Sequence, residues 1–307
     1  MIWRLSLDVV ATAPGDNLKC SSHQPFVWMT KISLGHTPDA DDAFMFYGIA
    51  SGKVSSPDFQ VEHVIEDIES LNKRALRHEL DVTAVSAHAF AYLKDYAILR
   101  SGGSFGINYG PIVISKKGTG SSRILQGKNI SIAIPGKMTS ANLLLMLAIG
   151  KFDAVEMSFE TIPDAVLSGK VEAGLVIHEA QITYDRMLFD SVFDLASWWS
   201  NQFSSLPVPL GINVASTSSM PRDLIVKFSD LFHRSIKYGL ENIDAAVEYA
   251  MQYGRGNAKA TITKFVKMYV NDYTLDMGPS GRKSIEQLLE RAKKNGILQG
   301  YPPIDVI

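Results

Sequence analysis

The apolar run AGLVIHEA closes on His178. A buried strand that ends in His-Glu sets an imidazole at the carboxyl edge of a sheet, where clefts form in α/β proteins. With an ordinary pKa of about 6.5, such a ring can accept or donate a proton near neutral pH. By residue type alone, a satisfied structural histidine is the commoner role. Glu179 follows at once; on an element of period two it points the other way, and it reads as a helix-start or interlobe residue rather than a partner of the ring.

A second cluster, Asp39, Asp41 and Asp42, stands between the first strand and its helix. Carboxylates there are stabilised by the free amides and dipole of the helix, and Asp39 reads as an N-cap. The same loop is a cleft position, where one carboxylate can orient a hydroxylated substrate. Ser86 ends the next strand, and Thr139 and Ser140 open a later helix. Hydroxyls at helix starts are usually caps, but beside free backbone amides they also suit a ligand carboxylate. His36 and His88 lie at strand ends with no spacing that compels a role. Trp198 and Trp199 read as packing residues, with stacking on an aromatic ligand as the alternative.

The elements that must position these groups alternate. From Lys31 onward, short apolar runs give way to helix-like segments, the pattern of an α/β protein with mainly parallel strands. KISLG, FQVEHVIE and DVTAVS predict three strands, with helices over Asp41 to Ala50, Asp67 to Leu76 and the segment AHAFAYLKDY. After GPIVISKKGTGSSR, a linker signal, a second series begins: NISIAIPG, TSANLLLMLAIG, EMSFETI, PDAVLSG and VEAGLVIHE. LPVPLGINVAS is a return crossing, and the remainder is helical. One lobe therefore interrupts another, residues 30–116 with 207–307 forming the larger and 117–206 the smaller, with the ligand cleft between them. Residues 1–29 have neither clear periodicity nor a convincing leader pattern; they read as a disordered extension or a start-site artefact, with Met29 as the natural start and a secretory leader as the weaker alternative.

Composition narrows the function. The 307 residues are 46% hydrophobic and 20% charged, ordinary for a soluble globular chain. A net charge of −2 leaves no basic excess for a phosphate backbone, so nucleic acid is not an expected partner. Cys20 is the only cysteine, which excludes intramolecular disulfides and thiolate-based zinc sites. No run reaches the roughly 18 to 20 apolar residues that span a bilayer. Phosphate-loop and dinucleotide fingerprints are missing, and the seven histidines form no metal-ligand spacing, so no metal is expected. A small molecule is the expected partner.

Eight segments, LGHTPDADDAFMFYGIASGKV, IEDIESLNKRAL, LRSGGSFG, GPIVIS, IPGKMTSA, GKVEAGLVIHEAQITY, DLASWWSNQFSSLPVPLG and YVNDYTLDMG, resemble in this order those of the 1,4-dihydroxy-6-naphthoate synthase family. The likeness covers residues 30–307. It implies an α/β, two-lobed periplasmic-binding-protein type II fold with an interlobe cleft, turned into an enzyme that needs no cofactor. The implied reaction converts cyclic dehypoxanthine futalosine, a carboxylated substrate, to 1,4-dihydroxy-6-naphthoate in menaquinone biosynthesis. The histidine of the family's IHE segment is the proton acceptor, here His178. By the same analogy Asp42, Ser86, Thr139 and Ser140 bind substrate, with Ala84, Val85 and Ala141 beside them. A cytoplasmic lyase, monomeric or homodimeric, is the expectation.

This chain departs from the family in its first loop, reading HTPDADDAF where the family reads close to FSPCPNDTF. A lysine common just before the third-strand serine is Ala84 here. Those changes keep two other readings open: the solute-binding protein of a transporter, which shares the fold, and a sister enzyme of the chorismate dehydratase type.

Overall fold

The computed structural model describes residues 29–119, 130–203 and 206–307. The N-terminal extension expected on sequence lies outside these residues, Met29 apart. The first sheet contains β1 (Thr30–His36), β2 (Phe59–Ile65), β3 (Val82–Ser86), β4 (Tyr96–Ile98), β5 (Ser104–Gly106) and the returning β11 (Val208–Ser216). Their order is β2-β1-β3-β11-β4, with β5 also on β11. β1 runs parallel to β2 and β3, and β11 antiparallel to its neighbours. All five residues of β3, VTAVS, are buried, as a strand covered on both faces requires.

The second sheet contains β6 (Ile112–Lys116), β7 (Ser131–Ile134), β8 (Asp153–Glu156), β9 (Ala173–Val176) and β10 (Phe189–Asp194), in the order β10-β6-β9-β7-β8. β7 is parallel to β8 and β9, while β6 is antiparallel to β9 and β10. Ile112–Lys116, grouped on sequence with the larger lobe, thus pairs in the second sheet, because its apolar residues complete the ladder beside β9.

Helices cover both sheets. α1 (Ala40–Ala50), α2 (Ile68–Leu76) and α3 (Ala87–Phe90) follow the first three strands. α4 (Ser140–Ile149), α5 (Ile162–Leu167), α6 (Ala180–Thr183) and α7 (Leu195–Gln202) belong to the second series. The chain ends through α8 (Arg222–Glu241), α9 (Ile243–Ala250), α10 (Lys259–Tyr269), α11 (Asp272–Leu275) and α12 (Gly278–Lys294). α8 buries Ile225, Phe228, Leu231, Phe232 and Ile236, spaced three and four apart, against α1, where Phe232 stacks on Phe46 at 4.4 Å. The helix expected over AHAFAYLKDY stops at Phe90: Asp95 turns left-handed at φ 57°, and Tyr96–Ile98 leaves to pair with β11 as β4. Among the described residues, no helix is long and apolar enough to cross a membrane.

One apolar core joins the sheets, taking Val85 and Val214 from the first, Ile132 and Leu175 from the second, and Leu143 of α4. Trp199 is fully buried in it, its indole donating to the Leu206 carbonyl at 3.0 Å, as the packing reading expects. The carboxyl ends of β1 and β3 in one sheet, and of β7 and β9 in the other, meet above this core.

Candidate functional site

At that meeting the walls enclose a cavity of about 90 Å³. His178, Asp42, Ala84, Val85, Ser86, Thr139, Ser140 and Ala141, the eight residues singled out on sequence, all line it. His36 and His88 do not. The His36 ring turns toward His63, Nε2 to Nδ1 3.0 Å, and His88 faces the Thr139 carbonyl at 3.3 Å.

His178 lies two residues beyond the end of β9, at φ 55°. Left-handed backbone is uncommon for a residue with a Cβ, at roughly 1–2 kcal/mol. Here it breaks the alternation of the strand. His178 and Glu179, expected to face opposite ways, both reach the first lobe: the imidazole Nδ1 stands 3.1 Å from Asp39 Oδ2, and Glu179 accepts from Arg255 at 3.0 Å. The His178 ring also packs against Phe159 at 4.9 Å, and the Arg255 guanidinium lies 4.9 Å from the centre of the same phenyl. Among the described residues no protein group pairs with His178 Nε2, and the ring borders the cavity.

Asp39 is the first residue whose role differs from the sequence reading. Its backbone opens α1, but the side chain caps no amide. The buried carboxylate instead meets His178 and the guanidinium of Arg255. Burial works to raise this carboxyl, yet attraction to the imidazole of His178 in its protonated form, the charge of Arg255 and hydrogen bonds from Thr37 and Arg255 outweigh it and hold the group below its usual range. Asp42 accepts from both the amide and the hydroxyl of Thr37, at 2.6 and 2.8 Å, and burial pushes it up to about 6. Asp41 has no such support: its Oδ1 is buried without a hydrogen bond, and burial, then Asp42, Asp39 and Glu179, drive the carboxyl well above its ordinary value. Each of these influences favours the neutral form of the carboxyl over the anion.

Across the cavity, the hydroxyls of Thr139 and Ser140 are already engaged. Thr139 Oγ1 accepts from Asn142 N at 3.2 Å and donates to the Gly136 carbonyl at 2.8 Å, an N-cap as expected. Ser140 donates to the Leu210 carbonyl at 2.5 Å and accepts from His88 N at 3.3 Å. What the helix start offers a ligand is therefore its leading amides, not these side chains. Ser86 differs: Asn72 donates to its Oγ at 3.2 Å and accepts its amide at 2.9 Å, which leaves the hydroxyl proton for a ligand. Asn72 also donates to Glu69, whose carboxylate receives Met138 N across the cleft at 3.3 Å. Gly136 permits this approach, since a Cβ there would sit 2.6 Å from the carboxylate.

Arg255 escaped the sequence reading. It sits in the loop before α10 and binds Asp39, the Pro38 carbonyl, Glu179 and, at 2.9 Å, Glu160. The available signal was a lone arginine between Gly254 and Gly256 in a break between helical runs. Among the described residues, none that lines the cavity is lysine or arginine. Among the described residues, no group of three or more His, Cys, Asp or Glu is placed to hold a metal ion.

Two α/β lobes closing on a cavity at the carboxyl ends of their strands define a protein of the periplasmic-binding-protein fold. The periplasmic aliphatic sulphonate binding protein SsuA from Escherichia coli shares that fold at a TM-score of 0.60, covering 89% of this chain and 94% of its own, at 10% identity. Residues 32–294 match the family model described as menaquinone biosynthesis, and the chain belongs to that family. The 1,4-dihydroxy-6-naphthoate synthase of Thermus thermophilus is 35% identical over 275 residues, 89% of this chain and 98% of its own. The crystal structure of protein AF1704 from Archaeoglobus fulgidus superposes at a TM-score of 0.81 with 46% identity, covering 87% of this chain and 98% of that one. A role in menaquinone biosynthesis, as an enzyme, follows.

Proposed function

We propose that this protein is a cofactor-independent carbon–carbon lyase of the cytoplasm that converts cyclic dehypoxanthine futalosine to 1,4-dihydroxy-6-naphthoate, with His178 as the general base. The observation that carries this reading is the placement of His178: its Nδ1 faces Asp39, its ring borders the cavity, and among the described residues no protein group pairs with its Nε2. A base within reach of a bound ligand, in a cleft that excludes water, is the minimum such a reaction needs. The driving force is supplied by the aromatic product.

The substrate carboxylate would lie against the leading amides of α4 and the Ser86 hydroxyl, which supply donors where no lysine or arginine among the described residues lines the cavity. Asp42, fixed by Thr37, would take a substrate hydroxyl. In this state the cavity measures about 90 Å³, and parting of the lobes would widen it for loading. Incubating the purified protein with cyclic dehypoxanthine futalosine and following naphthoate absorbance tests the reading. Product formation supports it; tight binding without turnover would identify a receptor instead.

A further inference from the structure

His178 and Asp39 come from opposite lobes, the first from the turn after β9 and the second from the loop after β1. Asp39 is 1% exposed, and its two oxygens divide the work: Oδ2 faces the imidazole at 3.1 Å and Oδ1 accepts from Arg255. A buried carboxylate is stable only with such partners. A buried carboxylate 3.1 Å from Nδ1 favours the ring tautomer that carries its proton there, which would leave Nε2 as the basic nitrogen.

We propose that Asp39 is a positioning residue for His178, fixing the ring through Nδ1 and meeting the charge that appears when Nε2 takes a proton, and that the pair is assembled only when the lobes close. The proposal rests on the reading of His178 as the base. In the step itself a ligand C–H bond breaks, its proton passes to Nε2, and the electron pair stays on the ligand. The Nδ1 proton remains on the ring, so the imidazolium lies beside the Asp39 carboxylate. Arg255, bound to Asp39 on one side and to Glu179 next to His178 on the other, keeps the two halves in register.

Three variants of the full chain, Asp39→Asn, Asp39→Glu and His178→Ala, test this, with turnover of cyclic dehypoxanthine futalosine as one readout. Long-range proton–nitrogen NMR of histidine-labelled protein is the other, the His178 signal being assigned by its loss in His178→Ala. The expectation is that Asp39→Asn lowers kcat about 100-fold or more with KM within about threefold, while Asp39→Glu recovers part of the loss. In the wild type at pH 8, the His178 ring should carry its proton on Nδ1, and Asp39→Asn should give a mixture. Wild-type kcat in Asp39→Asn beside an inactive His178→Ala would overturn the positioning role and leave the base intact. Full activity in His178→Ala would instead overturn the base. Should the Asp39 variants not fold, the wild-type spectrum still decides, because a proton on Nε2 contradicts the proposal.

Discussion

Arg255 meets Glu179 at 3.0 Å across the cleft, tying the loop before α10 to the turn that presents His178. The same guanidinium neutralises Asp39, so one side chain compensates two buried carboxylates from different lobes. Arg255→Met retains the apolar stem but strips both anions of their partner. It should lower stability by about 1–3 kcal/mol and raise KM about tenfold, with kcat reduced as well. Thermal melts and steady-state kinetics check this.

Ser86→Ala removes a hydroxyl that is bonded to Asn72 from one side and faces the cavity from the other. A hydrogen bond to a charged group contributes about 1.5–3 kcal/mol, equivalent to roughly a 10- to 100-fold rise in KM for a carboxylated substrate. A decarboxylated analogue should show little difference between the two proteins. Titration calorimetry with both ligands measures it.

The raised carboxyl of Asp41 has a stability consequence with a definite sign. Above the unfolded value of 3.8 the native state keeps a proton that the unfolded chain has released, so stability falls as pH rises from there. Asn does not titrate. Asp41→Asn should therefore gain in melting temperature relative to the wild type as pH rises above 4, the margin levelling off once the native carboxyl itself ionises, measured by differential scanning calorimetry on ligand-free protein.

His63 and His88 titrate in the opposite sense. Burial, aided at His63 by the neighbouring His36, brings each down to about 4, although the Thr139 carbonyl works against this at His88. Between pH 4 and the unfolded value of 6.5, the unfolded chain binds protons that the native state excludes. Stability should rise with pH across that window and be lost as pH falls through it. Replacing either histidine by Gln should reduce the slope by about one proton, roughly 1.4 kcal/mol per pH unit at most, as urea titrations at several pH values would record.

Strand ends and helix starts were legible in the sequence because each leaves a local mark. The apolar run into His178, the strand VTAVS that ends on Ser86 and the cap chemistry of Thr139 marked strand ends and a helix start, and the family resemblance singled them out as site residues; all three line the cavity. The pairing of those positions was not legible. Asp39 has the type and place of a cap, and only tertiary contact with residues 139 and 216 positions away diverts its carboxylate to His178 and Arg255. Glu179 opens α6 and bonds Arg255 across the lobes, as a helix-start and interlobe residue would, but it does not face away from His178, because period two holds only while backbone stays extended and the left-handed turn at His178 ends it. Arg255 shows no periodicity at all, and its partners come from three distant segments. Sequence located the groups one strand at a time; the cleft's electrostatics belong to the closure of two lobes.

The proposed reaction depends on the ring of His178. His178→Gln, with substrate affinity measured by calorimetry alongside turnover, should bind cyclic dehypoxanthine futalosine within about threefold of the wild type while forming naphthoate at least about 100-fold more slowly. Turnover at the wild-type rate in that variant would contradict the assignment of the imidazole as the base.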